Sequence, residues 1–223
     1  VRRNFINVGI FLSALLAIAG SGIGGDALWV HYVFKPLATL LIWYSVWRVA
    51  APVSVAYRNA ILIGLALSLC GDVFLMFPEA VLSLGFELGL VSFLVAHLFF
   101  LHALSRDSGW FGKLWPILLL LAISCVNLIV LWPTIGAALR IPVLAYMLCL
   151  VAMTAQAASR ALSLGTRDSQ MAALGGISFL ISDTTLAYNK FYAPVPLSSL
   201  LVLGTYYAAL FLIARSVEKQ QPA

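Results

Sequence analysis

Along the chain, apolar residues gather in runs of about twenty, and short polar stretches between them carry most of the charge. A helix crossing a bilayer needs ~20 mostly apolar residues. Eight runs have that character, at 5–21, 31–49, 59–77, 84–104, 114–133, 139–160, 169–189 and 197–216. The connections are short. The pattern therefore predicts an all-α, polytopic membrane helix bundle, one eight-helix transmembrane domain over residues 1–223 with no soluble domain. Aromatic residues sit near the run ends, at Trp29, Tyr32, Trp43, Trp47, Trp110, Trp115, Trp132, Tyr188 and Tyr192, as an interfacial belt requires. The first run also has the general look of a signal peptide, with Arg2-Arg3, an apolar stretch and Ala17-Ile18-Ala19-Gly20. It is read here as a first spanning helix.

Composition sharpens this picture. Hydrophobic residues make up 63% of the chain and charged residues 9%. A soluble domain carries about 25% charged residues, so this chain lacks the polar groups to cover a water-exposed surface. The net charge of +5 is scattered, with no basic cluster beyond Arg2-Arg3, which excludes a nucleic-acid partner. Cys70, Cys125 and Cys149 all lie inside apolar runs. An odd number of such thiols is no disulfide framework, and they read as small apolar filler.

Lys and Arg set the orientation. Arg2, Arg3, Arg48, Arg58, Arg106, Lys113, Arg160, Arg167, Arg215 and Lys219 fall at one set of run ends, and only Lys35, Arg140 and Lys190 at the other. The positive-inside rule then places both termini in the cytoplasm, at the inner membrane if the source is bacterial.

The chain also echoes itself. Gly71-Asp72-Val73-Phe74-Leu75-Met76-Phe77 and Ser182-Asp183-Thr184-Thr185-Leu186-Ala187-Tyr188 share the order small, Asp, x, x, Leu, x, aromatic, 111 residues apart. The second run opens with Lys35-Pro36 and the sixth with Arg140-Ile141-Pro142. A duplicated four-helix unit, arranged 4+4 in parallel, accounts for both features.

Ionisable residues inside spans cost roughly 2.5–3.5 kcal/mol on insertion scales and are functional-site hypotheses by default. Asp72 and Asp183 each sit five or six residues before the outer end of their runs, so the two carboxyls are expected at one depth and on one cavity. Lys35, Glu87, Asn189 and Lys190 fall near the same level. Lys190, seven positions from Asp183, shares its helical face. The bland alternative is a pair of structural ion pairs, Asp72 with Lys35 and Asp183 with Lys190, or a snorkelling Lys190. Gly89, Phe93 and His97 share one face of the fourth run, with His97 deeper. His97 is either a packed histidine or part of the same cavity. His31 and His102 lie near opposite run ends.

No metal-ligand spacing occurs among the His and Cys residues, so no metal is expected. Gly20-x-Gly22-x-x-Gly25 matches a dinucleotide fingerprint by letter, but it falls in a predicted external loop with no βαβ context. No G-x-S-x-G elbow is present.

In Lys35-Pro36, Gly71-Asp72 through Met76, Gly89-x3-Phe93-x3-His97, and Ser182-Asp183 through Ala187, Asn189, Lys190 and Phe191, the chain resembles the YhhN-type family that includes the lysoplasmalogenases. Phe99-Phe100 stand where the family often has a tyrosine. The resemblance implies cleavage of the vinyl-ether bond of a lysoplasmalogen, giving a fatty aldehyde and a glycerophosphoethanolamine or glycerophosphocholine. Asp72 and Asp183 would supply acid–base catalysis without a cofactor. Lys35 and Lys190 would hold the headgroup phosphate, so Lys35→Ala is expected to raise KM more than it lowers kcat. The single chain would reach inward past Phe93 and His97. The expected partners are a lysophospholipid substrate and membrane lipids. A proton-coupled transporter of a small or lipid-like solute is the competing reading, and a lipid-sensing membrane protein without chemistry is a third.

Overall fold

A computed structural model describes residues 2–78 and 80–219. The side chains of Arg2 and Arg3, counted above for topology, lie outside the described residues. Eight helices follow one another: α1 (Arg2–Ile23), α2 (Leu28–Trp47), α3 (Val55–Met76), α4 (Gly85–Leu104), α5 (Trp115–Leu131), α6 (Ala137–Leu164), α7 (Arg167–Phe191) and α8 (Ser198–Arg215). Six of them, all but α2 and α5, are long and apolar enough to cross a membrane. The chain is thus an integral, multi-pass membrane protein. Helix α5 has only 17 residues, and α2 is diluted by His31, Lys35 and Pro36.

Local chemistry moves several ends away from the predicted limits. Pro78 stops α3 early, because the residue before proline is pushed out of the helical region; Phe77 is extended at φ −72°, ψ 129°. Helix α6 overruns its apolar run until Gly165 turns left-handed at φ 64°. Asp72 therefore lies four residues from the end of α3 and Asp183 eight from the end of α7, and equal offset from helix ends does not hold. Nor do the fingerprint-like glycines form a loop. Gly20 and Gly22 belong to the last turns of α1, and only Gly25 lies in the 3₁₀ turn that follows. A Cβ at Gly20 would come 2.6 Å from the backbone nitrogen of His31. This glycine therefore serves the close crossing of α1 and α2, as small residues do between membrane helices.

Sequential helices pack in pairs, α1 with α2, α3 with α4 and α7 with α8. The bundle closes where α8 meets α1 and α2, and where α6 meets α4 and α7. Its core includes the fully buried Ile42, Tyr57, Ile61, Leu65, Phe100, Met153, Phe179 and Leu210. Helix α5 stands apart, touching only α6 and α7 among the described elements.

One end of the bundle is tied by a buried cation. Arg160 is fully buried. Its Nε and Nη2 donate to Asp107 at 2.8 and 2.7 Å, Nη2 also donates to Asp168 at 2.8 Å, and the guanidinium lies 5.2 Å from the Tyr57 ring centroid. Arg160 is therefore a structural tie rather than a free interfacial charge. Nearby, the Gln156 side-chain oxygen accepts from Phe111 N at 2.8 Å, and its amide donates to Gly109 O at 2.7 Å. These contacts anchor the α4–α5 loop on α6. Hydrogen bonds to charged groups contribute about 1.5–3 kcal/mol. Asp168→Asn, which weakens one of them, should lower the thermal midpoint in detergent, and a midpoint unchanged from the unmodified protein would show that this bond carries no stability.

Candidate active site

At the opposite end, three helices converge on Asp72. This residue is 1% exposed. Its Oδ2 accepts from Thr39 Oγ1 of α2 at 2.8 Å and from Tyr206 Oη of α8 at 2.7 Å. Its Oδ1 lies 3.5 Å from Lys35 Nζ, itself 7% exposed. Lys35 and Thr39 are one helical turn apart, so α2 presents both to the same carboxylate. Two neutral donors and one cation thus face one buried acid.

Asp183 is held differently. Its Oδ2 accepts from Tyr146 Oη of α6. No Lys or Arg forms an ion pair with it among the described residues. The bland expectation of an Asp183–Lys190 pair gives way to a different contact, with Lys190 Nζ 5.1 Å over the Phe86 ring. Tyr146 stands 111 positions after Lys35, the same interval that separates Asp72 from Asp183. One carboxyl is thus held by an ammonium and the other by a phenol.

Both carboxyls line one cavity of about 100 Å³, together with Lys35, Tyr146, Lys190 and Tyr206. Phe93 lines it as well. A Cβ on Gly71 would come 2.6 Å from the Phe93 ring, so the glycine beside Asp72 makes room for this aromatic wall. Towards the bundle centre, Phe93, Phe179 and Tyr206 meet edge to face, with centroids 5.6–6.3 Å apart. Ring packing of this kind makes a firm floor.

A wider vestibule of about 350 Å³ lies outside the cavity and shares Lys35, Lys190 and Phe86 with it. Ser21, Ser198, Ser199, His31 and Asn189 add polar groups to its wall. His31 Nδ1 lies 2.9 Å from Ala17 O, and Asn189 Oδ1 accepts from Val195 N at 2.9 Å, bracing the α7–α8 turn.

Two sequence candidates lie elsewhere. Glu87 occupies the first turn of α4, half-buried, and belongs to neither lining. His97 is fully buried beneath the floor, 4.5 Å from the Phe179 ring centroid and 5.3 Å from that of Tyr146, and neither ring nitrogen makes a hydrogen bond of normal geometry. Its packed alternative describes its position. The residues not singled out from sequence were Thr39, Tyr146 and Tyr206. The signal for Thr39 was its one-turn spacing from Lys35, and that for Tyr146 was the shared 111-residue interval.

The chemistry open to this site is proton transfer in a mostly apolar enclosure, with one acid beside an ammonium and a second acid held by a phenol. No cluster of His, Cys, Asp or Glu able to hold a metal occurs among the described residues.

Comparison with known proteins now bears on the chain. The model of the YhhN family matches residues 30–217. Human lysoplasmalogenase TMEM86A is 32% identical over 201 residues, covering 87% of this chain and 81% of the relative. Pig lysoplasmalogenase TMEM86B is 32% identical, covering 86% and 76%. The membrane protein YhhN of Escherichia coli O157:H7 is 25% identical, covering 94% and 97%. No solved structure matches the chain.

Proposed function

Because the chain belongs to the YhhN family, we propose that it is a membrane-embedded hydrolase cleaving the vinyl-ether bond of a lysoplasmalogen. The products are a fatty aldehyde and glycerophosphoethanolamine or glycerophosphocholine. The observation that carries the reading is the unequal pair of carboxyls, Asp72 beside a cation and Asp183 beside a phenol, on one cavity below a vestibule with two lysines.

The asymmetry supports a division of roles. Asp183 enters the cycle protonated and Asp72 ionised. Asp183 donates its proton to the β-carbon of the vinyl ether, and the enol-ether π electrons form the new C–H bond. The resulting oxocarbenium ion lies beside the Asp72 carboxylate, which stabilises its charge and takes a proton as water adds to the cationic carbon. The hemiacetal then collapses. Asp72 returns its proton to the ether oxygen as the C–O bond breaks, and Asp183 takes the hydroxyl proton as the carbonyl forms. Both acids end as they began, so the cycle needs no metal or organic cofactor.

The vestibule suits a phosphate as it suits little else in a lysolipid. Lys190 reaches it without an acidic partner in the described ion pairs, and the serines supply hydroxyl donors. Lys190→Ala should therefore raise KM several-fold with kcat largely kept, the signature of binding shared by ground and transition states. A fall in kcat with unchanged KM would instead place Lys190 at the reacting atoms.

The wider architecture fits this reading. We place eight spans in one transmembrane domain, with both termini cytoplasmic and the site towards the outer face, in the inner membrane if the source is bacterial. A terminal reporter active only outside the cytoplasm would reject that topology. A 4+4 repeat is supported by matching neighbours: α2 packs with α1, α3 and α8 as α6 packs with α5, α7 and α4. The aromatic floor favours a site closed on one side over a transport path. The central test is aldehyde release by purified protein from a panel of lysolipids. Release from no vinyl-ether member of the panel would reject the hydrolase reading.

A further inference from the structure

The aromatic floor blocks the inward route that the sequence suggested for the substrate chain, past Phe93 and His97. The central cavity, at about 100 Å³, is far below the ~300–1,000 Å³ of sites that enclose a drug-sized ligand. A long hydrocarbon chain must leave it by another path.

A second space begins at Asp183. It measures about 100 Å³ and lies between α5, α6 and α7. Val143, Tyr146, Asp183 and Ala187 line both spaces, so the Tyr146–Asp183 hydrogen bond stands at their junction. Beyond the junction the walls are Leu128 and Leu131 of α5, Met147 and Leu150 of α6, and Leu180 of α7, with Ser124 and Asn127 among the few polar members. The outer wall is the loosest helix of the bundle. Apart from its contacts with α6 and α7, α5 turns Leu118, Val126 and Ile129 outward, each well exposed. In a membrane protein that face meets lipid tails. The groove thus joins the carboxyl to the hydrocarbon of the bilayer.

We propose that this groove is the subsite for the substrate's hydrocarbon chain, entered beside Asp183, with the remainder of the chain running out along α5 into the bilayer. The inference rests on the lysolipid reading and adds the path of the chain to it. The geometry agrees with the chemistry. In an alkenyl lysolipid the carbon to be protonated lies between the ether oxygen and the rest of the chain. Asp183 lies between the cavity continuous with the lysine-lined vestibule and the apolar groove. A substrate spanning both would present that carbon to this acid.

The test uses the whole purified protein and, as probe, a lysophosphatidylethanolamine with a diazirine near the head of its acyl chain, which has no vinyl ether to cleave. Irradiation followed by peptide mass spectrometry should place label within 124–131, 143–150 or 180–187, and excess unlabelled lysophosphatidylethanolamine should remove it. Label on α5 that does not compete, or competed label confined to α1, α2 or α8, would overturn the subsite. As a second arm, Leu128→Trp fills the groove. It should cut turnover of a long-chain lysoplasmalogen by about tenfold or more while hydrolysis of a short-chain vinyl-ether analogue is kept. Equal loss on both substrates in a folded variant would also overturn the subsite. If the variant does not fold, labelling of the unmodified protein decides alone. Competed label in the groove without aldehyde release from any vinyl-ether lipid would leave the subsite standing and remove the hydrolase reading, so the two failures are distinguishable.

Discussion

Asp72→Asn and Asp183→Asn should each lower kcat for aldehyde release by ~10²–10⁴-fold, the usual worth of a general acid–base group. The amide preserves size and some hydrogen bonding, so binding should survive better than turnover. On the proposed mechanism, Asp183→Asn removes the proton that must reach carbon. Asp72→Asn removes the negative charge beside the cation and the acceptor for water's proton. The double variant should be little worse than the more damaging single one, because groups that act as a unit are strongly non-additive. The kcat profile of the unmodified protein should be bell-shaped in pH, with limbs belonging to the pair and not to either residue. Near-normal turnover in either well-folded single variant would make that Asp a packing charge and end the mechanism.

The two acids were legible in the sequence because charge inside a span is expensive and therefore rare. Asp72 and Asp183 stand out against a chain with 9% charged residues. Lys35, Lys190 and Asn189 were legible for the same reason, as polar groups near one depth. The aromatic hydroxyls were not. Tyrosine is common in membrane proteins as an interfacial residue, so Tyr146 and Tyr206 carry no local mark of contact with a carboxyl. Their role depends on which helices become neighbours, and hydrophobic helices give little sequence record of their partners. The same limit hid the position of His97. Helical spacing placed it on one face with Phe93, but whether that face met a cavity or a packed layer depended on Phe179 from α7 and Tyr206 from α8. The helix count was legible from apolar runs. Their ends were set by Pro78 and Gly165, which act through backbone geometry rather than hydropathy. The chain groove lay beyond any pattern, since it arises from the loose docking of α5.

The two acids share one sequence interval with the groups that contact them. An ammonium at position 35 and a phenol at position 146 stand beside Asp72 and Asp183, each pair 111 positions apart from its counterpart. On the proposed mechanism this difference separates donor from acceptor, because a nearby opposite charge favours an ionised carboxyl more than a neutral donor does.

Lys35 is therefore the residue whose loss should change the reaction most after the acids themselves, and the ion pair with Asp72 revises what its removal should do. As a headgroup ligand alone, Lys35→Met would raise KM and leave kcat nearly intact. As the counter-charge of a buried acid, it should lower kcat by about 10²-fold or more, within the range for a lost acid–base function. Leaving one member of a buried pair uncompensated costs about 3–5 kcal/mol, and a buried acid in that position escapes the cost by taking up a proton. Asp72 then has no charge to offer the cation. Two further variants separate this from simple misfolding. Lys35→Arg retains the positive charge and should keep more activity than Lys35→Met. Lys35→Met combined with Asp72→Asn removes both charges at once, so its thermal midpoint in detergent should exceed that of Asp72→Asn alone, which strands a buried ammonium. Its kcat should nevertheless match that of Asp72→Asn, since the same carboxylate is missing from both. A Lys35→Met protein with normal kcat and a raised KM would confine Lys35 to the phosphate and would end its proposed role as the counter-charge of Asp72.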